Sequence, residues 1–256
     1  QFQPLNGRSF YMAVCGKLKI LGMDMKWSAK WIWKKQRDYK AYNQTVLARK
    51  TFALGEVESA VIRITADSMY RLFINGEWVN DGPSRSWPEH FKFDEIDVTS
   101  LLRKGENEIE VIANCFGAGV LTRFTVQAGL LVQLDVKQSN GNVKTVASDK
   151  SWEVAELKTW LSNTAKISLN MEGYEIYDAR LEKAPKFTKV EELYTIENAP
   201  WQGLNPRGTA LLTRKSFDFK AFRAAKAVRA DGVQFTLPAT RLIHPGLIEA
   251  NGRTSM

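Results

Sequence analysis

ADSMYRLFINGEWVNDGPSRSWPEHFKFDEIDVTSLLRKGENEIEVIA, residues 66–113, is the stretch that decides the fold class. Met69 to Ile74 is a run of β-formers, and Asn75-Gly76 is the dipeptide best suited to a two-residue hairpin, because both positions tolerate positive φ. Glu77 to Val79 begins the return strand. Further on, Asp97-Val98-Thr99 leads into Leu101-Leu102, and Lys104-Gly105-Glu106-Asn107 turns the chain into Glu108 to Ala113, where polar and apolar residues alternate. Short strands joined by tight turns, without a helical period, predict an antiparallel β-sandwich.

The flanking sequence continues the pattern. Trp27, Trp31 and Trp33 mark an opening strand, on which Trp31 and Trp33 are expected to share one face. Thr45 to Leu54 and Val57 to Ala66 are two further strands joined by Gly55-Glu56, with Ala60, Ile62 and Ile64 alternating against Val61, Arg63 and Thr65. Gly129 to Lys137 turns at Asn140-Gly141-Asn142 into Val143 to Ala147, and Trp152 to Ala155 and Glu175 to Tyr177 complete the expected strands. The inner faces should bury Ile62, Ile64, Leu72, Ile74, Val98, Leu101, Ile109, Val111, Leu131 and Leu134. The fold class is therefore all-β, an antiparallel jelly-roll-like sandwich followed by a Pro-containing linker and a partial or irregular C-terminal segment. The expected division is a poorly specified leader (1–25), the sandwich (26–183), a linker broken by Pro185, Pro200 and Pro206 (184–210), and the start of a second β domain or an irregular tail (211–256).

Two patterns within the opening stretch, INGxxVxxGPxRSxPxH and DxxDVTxLLxxGxNxIxVIA, stand in this order together with QAGLLVQL (127–134), EIYDARLE (175–182) and WQGLNPRGTALL (201–212). This collinear set resembles the N-terminal non-catalytic β-sandwich region of bacterial α-L-rhamnosidases and related glycosidases with a helical-barrel catalytic domain. The resemblance runs from about Trp27 to Phe217. It implies an accessory region that assists carbohydrate binding or domain orientation, with the catalytic carboxylates in a later domain of the same parent protein. The implied partners are that catalytic domain and a carbohydrate, with rhamnose-containing sugars the natural candidates. An independent carbohydrate-binding module and a purely structural interdomain scaffold are the alternative readings.

The formal charge of +8 raises the question of nucleic acid, because basic surfaces gain affinity by releasing counterions from phosphates. Its distribution answers it. Residues 26–196 hold 24 Lys and Arg against 23 Asp and Glu, so the basic excess sits in the two ends and no nucleic-acid role is expected. No apolar run approaches the ~18 residues of a membrane span, and none is expected. The chain starts at Gln1, and its first 25 residues lack an apolar core followed by a small-residue cleavage site, so no signal peptide is expected there. Cys15 and Cys115 are expected to stay unpaired, Cys115 as a buried thiol closing an apolar strand. His90 and His244 suggest neither a zinc site nor a triad, and Gly117 and Gly119 lie outside any phosphate-loop frame.

Chemistry could reside in three places. Glycoside hydrolysis needs two carboxyl groups of different protonation, and Glu172, Glu175 and Asp178 lie close in sequence; Asp178 beside Arg180 reads as a salt-bridged turn, so no catalytic residue is assigned. Trp78, Asp81, Arg85, Trp87 and His90 combine aromatic faces for sugar rings with groups that satisfy hydroxyls, and they are the carbohydrate-binding candidates. The competing reading has Trp87 and His90 covering the open end of the sandwich. Asp81, Asp94 and Asp97 could supply oxygen ligands to calcium, but their spacing matches no calcium loop and Asp97 reads as a turn cap; no metal or other cofactor is assigned.

Overall fold

The computed structural model describes residues 26–36, 41–121, 123, 124 and 126–215. The expected leader, with Cys15, and residues 216–256, with His244, lie outside the described residues. The strands are β1 (Trp31–Lys34), β2 (Gln44–Leu54), β3 (Val57–Asp67), β4 (Met69–Ile74), β5 (Glu77–Gly82), β6 (Lys92–Asp97) and β7 (Gly105–Cys115). There follow β8 (Gly129–Gln138), β9 (Val143–Ala147), β10 (Glu153–Glu156), β11 (Lys166–Ser168), β12 (Met171–Gly173), β13 (Thr188–Tyr194) and β14 (Asn205–Pro206). Among the described residues the only helical elements are short 3₁₀ turns.

Hydrogen bonding joins twelve strands in the order β14-β6-β3-β8-β1-β13-β10-β2-β7-β4-β5, with β9 beside β8. The pairing is antiparallel except between β14 and β6. The sheet doubles over at β13, whose Val190–Tyr194 end pairs with β1 while Thr188 and Lys189 pair with β10. One sheet is thus β6, β3, β8 and β1, and the other is β10, β2, β7, β4 and β5. Within residues 184–210, read from the sequence as a linker, β13 is therefore a strand of the sandwich itself.

Alternation puts Ile62 and Ile64 of β3 and Val132 and Leu134 of β8 against Leu72 and Ile74 of β4 and Ile109 and Val111 of β7, all buried in one cluster. Each contributes roughly 1.5–3 kcal/mol by leaving water. Cys115 is a free, buried thiol at the end of β7, and burial raises its pKa. Of the expected core, only Leu101 is half-buried; it sits in the 3₁₀ turn Thr99–Leu101 and packs on the edge of the cluster. Leu131 is buried on the opposite side of its sheet, outside the sandwich core, because it alternates with Leu130 and Val132.

The signature turns bind to one another. Asn75 and Gly76 take φ of 51° and 81°, and the Asn75 side chain also donates to the Leu101 carbonyl (2.8 Å) and to Asn107 Oδ1 (2.9 Å) while accepting from the Glu108 amide (3.0 Å). Asp97 accepts from the Thr99 amide at 2.9 Å, the expected cap, and the Thr99 hydroxyl accepts from the Ala60 amide at 2.9 Å.

A second apolar layer covers the outward face of the β3/β8 sheet. Trp201 stacks on Trp31 with ring centroids 4.0 Å apart, and Phe91, Leu131 and Ala199 complete a buried cluster. A register shift between Trp31 and Ile32 sends Trp31 into this layer and leaves Trp33 in the sandwich core, so the two do not share a face. Glu175 to Tyr177 is not a strand: only Tyr177 bridges, to Trp160, because the segment lies along a loop that offers no ladder to extend.

Candidate functional site

The alternation that buries Leu72 and Val111 turns Arg71, Asp81, Ile112 and Asn114 outward, onto the face opposite the tryptophan layer. An excursion between β10 and β13 lies over part of this face. It is tied down by Asn43, whose side-chain amide donates to Thr164 Oγ1 at 2.7 Å, and by Lys166, which donates to the Gly119 carbonyl at 2.6 Å.

Two adjoining clefts result. The first, about 230 Å³, lies between the outward residues of β4 and β7 and the excursion residues Trp160, Glu172 and Glu175. The second, about 480 Å³, is walled by Gly82 to Arg85, by the loop carrying Phe116, Val120 and Arg123, and by the segment from Arg207 to Leu212. Met69, Asp81, Phe116 and Glu172 line both, so the clefts form one trough.

Each wall of the second cleft has an identifiable anchor. Asp94 is fully buried, and Arg207 grips it bidentately, Nε to Oδ1 at 2.5 Å and Nη2 to Oδ2 at 2.7 Å. The Tyr70 hydroxyl donates to the same carboxylate, and Asn80 donates to it at 3.1 Å. Gly82 lies against this group, where a Cβ would collide with Asp94 and Tyr70. The Phe116–Ala128 loop is held by Asp67, whose carboxylate accepts from Trp201 Nε1 (3.0 Å), the Ser68 hydroxyl (2.9 Å) and the Val126 amide (3.3 Å). Burial raises the Asp67 pKa despite these donors. Arg123, on that loop, donates to the Ser68 carbonyl and faces the Phe116 ring with its guanidinium carbon 5.6 Å from the centroid. Burial lowers its pKa, against the opposing pull of Asp67 and Glu172.

The structure divides the sequence-predicted candidates. Asp81 and Arg85 line the trough, and Asp81 is held by Arg71 Nε at 2.9 Å and by Trp78 Nε1 at 3.1 Å. Trp78 lines neither cleft; the Arg214 guanidinium lies over its ring, 4.9 Å from the centroid. Trp87 is 53% exposed and packs on Phe124, itself 52% exposed, with centroids 4.7 Å apart and planes tilted by 36°. His90 is exposed in the Pro88–His90 turn and lies beside Gly203, away from the trough's lining. Arg123 and Phe124 escaped the sequence reading, because a loop of mixed small, basic and aromatic residues has no local pattern; only the fold carries Phe124 to Trp87.

Of the three carboxylates singled out in the sequence, Glu172 and Glu175 line the first cleft and Asp178 does not. Glu175 accepts from Trp160 Nε1 at 3.1 Å, and Asp178 is the side-chain cap of a 3₁₀ turn, gripped by Arg180 at 2.8 and 2.6 Å and held below its ordinary pKa by that guanidinium. Asp81, Asp94 and Asp97 each serve a different partner, and no group of three His, Cys, Asp or Glu could hold a metal among the described residues. Among the described residues, no helix is long and apolar enough to cross a membrane.

Residues 55–205 match the family model of the α-L-rhamnosidase N-terminal domain. The chain is similar to a GH78 family rhamnosidase of Bacillus sp. GL1, at 30% identity over 73% of this chain and 20% of that one, with a TM-score of 0.66. It shares its fold with the α-L-rhamnosidases of Aspergillus terreus (24% identity over 69% of this chain and 22% of that one, TM-score 0.55) and Dictyoglumus thermophilum (22% over 70% and 22%, TM-score 0.53). This chain therefore spans about a fifth of the length of those enzymes. No curated protein matches it.

Proposed function

This chain belongs to the α-L-rhamnosidase N-terminal domain family, and from that premise we propose that it is a non-catalytic accessory domain of a rhamnosidase-like glycoside hydrolase that holds carbohydrate in the trough beside Trp87. The observation that carries the reading is the exposed Trp87–Phe124 pair. These rings stand on the same two loops that deliver Arg85 and Arg123 to the second cleft. Aromatic faces accept the C–H side of a pyranose, and the neighbouring donors and acceptors satisfy its hydroxyls. Had the pair been buried under the 196–204 strap, as Trp31 and Trp201 are, a scaffold would be the better reading.

A domain-orienting role has its own support. Leu121 is 70% and Leu169 67% exposed, and the Leu121 amide donates to the Leu169 carbonyl at 3.3 Å, so two large apolar side chains stand out from one spot. Exposed apolar clusters of this kind mark surfaces that pack on another domain.

Calorimetric titration with a rhamnose-containing oligosaccharide tests the sugar reading. Trp87→Ala should weaken binding by about tenfold, the effect of losing one aromatic contact, with little change in melting temperature. Unchanged affinity together with a clear loss of stability would sink it. Turnover of an aryl rhamnoside by the purified chain, abolished by Glu175→Gln or Asp178→Asn, would overturn the non-catalytic assignment.

A further inference from the structure

The charges in the second cleft are not evenly matched by partners. Asp81 is engaged by Arg71 and Arg207 by Asp94, so both are neutralised within the fold. Arg85 and Arg123 are different. Neither takes part in an ion pair among the described residues, although both line the cleft. Arg85 is exposed on the loop after Gly82-Pro83, and Arg123 is half-buried with its guanidinium fixed by the Ser68 carbonyl. Burial lowers the Arg123 pKa, the attraction of Asp67 and Glu172 opposes this, and Arg85 adds a smaller repulsion; with Glu172 the one other charge in the lining outside any ion pair among the described residues, the two guanidinium groups leave the cleft a net positive charge. Repelling cations at the wall of a cleft are relieved by an anion between them. The rest of the lining suits a sugar: Met69, Val120 and Leu212 offer apolar surface, and Ser84, Thr209 and Glu172 offer hydroxyl partners.

We propose that the second cleft is a subsite for an acidic glycosyl unit, a uronate whose carboxylate lies between Arg85 and Arg123 while its ring packs toward the Trp87–Phe124 pair. This deepens the carbohydrate-binding reading and rests on it. Guanidinium is the side chain best shaped for a carboxylate, because its parallel N–H groups match the two oxygens. Glu172 limits the choice of ligand: it favours a sugar that presents hydroxyls as well as a carboxylate over a bare polyanion, which it would repel.

The test compares a short oligogalacturonate with the oligogalactose of the same linkage, which differs only at C6. Affinities are measured by calorimetry on the full chain, with Arg85→Gln as the variant. Arg85 is exposed and takes part in no ion pair or hydrogen bond among the described residues, so its replacement should leave the melting temperature unchanged. The expected result is preference for the acidic sugar, lost by about tenfold in Arg85→Gln and reduced by added salt, with the neutral sugar's affinity changing far less than the acidic sugar's in both cases. Equal affinity for the two sugars overturns the inference. So does an acidic preference that survives Arg85→Gln, since the anion would then be read elsewhere. If neither sugar binds while the rhamnose-containing oligosaccharide still binds in a Trp87-dependent way, the acidic subsite fails and the general reading stands. Loss of all three overturns both.

Discussion

The two outward faces of this sandwich use tryptophan in opposite ways. On the β3/β8 face, Trp31 and Trp201 are completely buried against each other and beneath the 196–204 strap. On the β4/β7 side, the 157–177 excursion only partly covers the sheet, leaving the trough, and Trp87 stands half in solvent on Phe124. Residue type does not separate the two uses. What separates them is whether the chain itself supplies a cover: the strap presents Ala199 and Trp201 to the first face, while on the second side the covering segments mix apolar groups such as Trp160 and Leu212 with the charges of Glu172, Glu175 and Arg123 and leave a trough open.

The contrast can be broken from either side. Trp201→Ala should have the largest effect, about 3–5 kcal/mol of stability in chemical denaturation, because it removes a stacked, buried ring and the donor to Asp67. Arg207→Gln should follow closely at roughly 3 kcal/mol, since it strands a buried carboxylate. Trp87→Ala should lower stability by less than about 1 kcal/mol, as surface changes do; a loss near that of Trp201 would erase the distinction between the faces. The smallest effect concerns pH. Burial raises the Asp67 pKa in the folded state, so its contribution falls as pH rises through that elevated value and is most favourable in acid. Asp67→Asn should therefore flatten the decline in stability above the ordinary carboxylate range. Melting curves across pH that keep the same slope in the variant would contradict this.

The sandwich was legible because its information is local. Asp97 and Asn107 specify turns through side chain to backbone bonds within four residues, and Asn75 and Thr99 sit in turn signals while also bonding to Glu108 of β7 and Ala60 of β3. These residues belong to the patterns that carried the family resemblance, which also take in Arg85 of the trough. The site was only partly legible, for the opposite reason. Asp81, Arg85 and Trp87 could be singled out as candidates because they lie close together in sequence, but Arg123 and Phe124 are brought to that region only by the fold, with the 116–128 loop anchored by Asp67. Strand β13 was hidden by its surroundings. Its sequence TKVEELY alternates weakly, Val190 alone is fully buried, and the prolines at 185 and 200 advertise a connector. Leu131 and Trp31 show a third limit: where both faces of a strand are covered, alternation cannot name the inner one.

The grip of Arg207 on Asp94 also bears on how this unit could be moved between proteins. The family match stops at residue 205, two residues short of the arginine that neutralises the deepest carboxylate of the sandwich. A graft cut at the matched boundary would carry an orphaned anion into its new host, together with a trough lacking its third wall. The portable cassette is thus longer than the matched segment and runs through Arg207 to the trough wall that ends at Leu212.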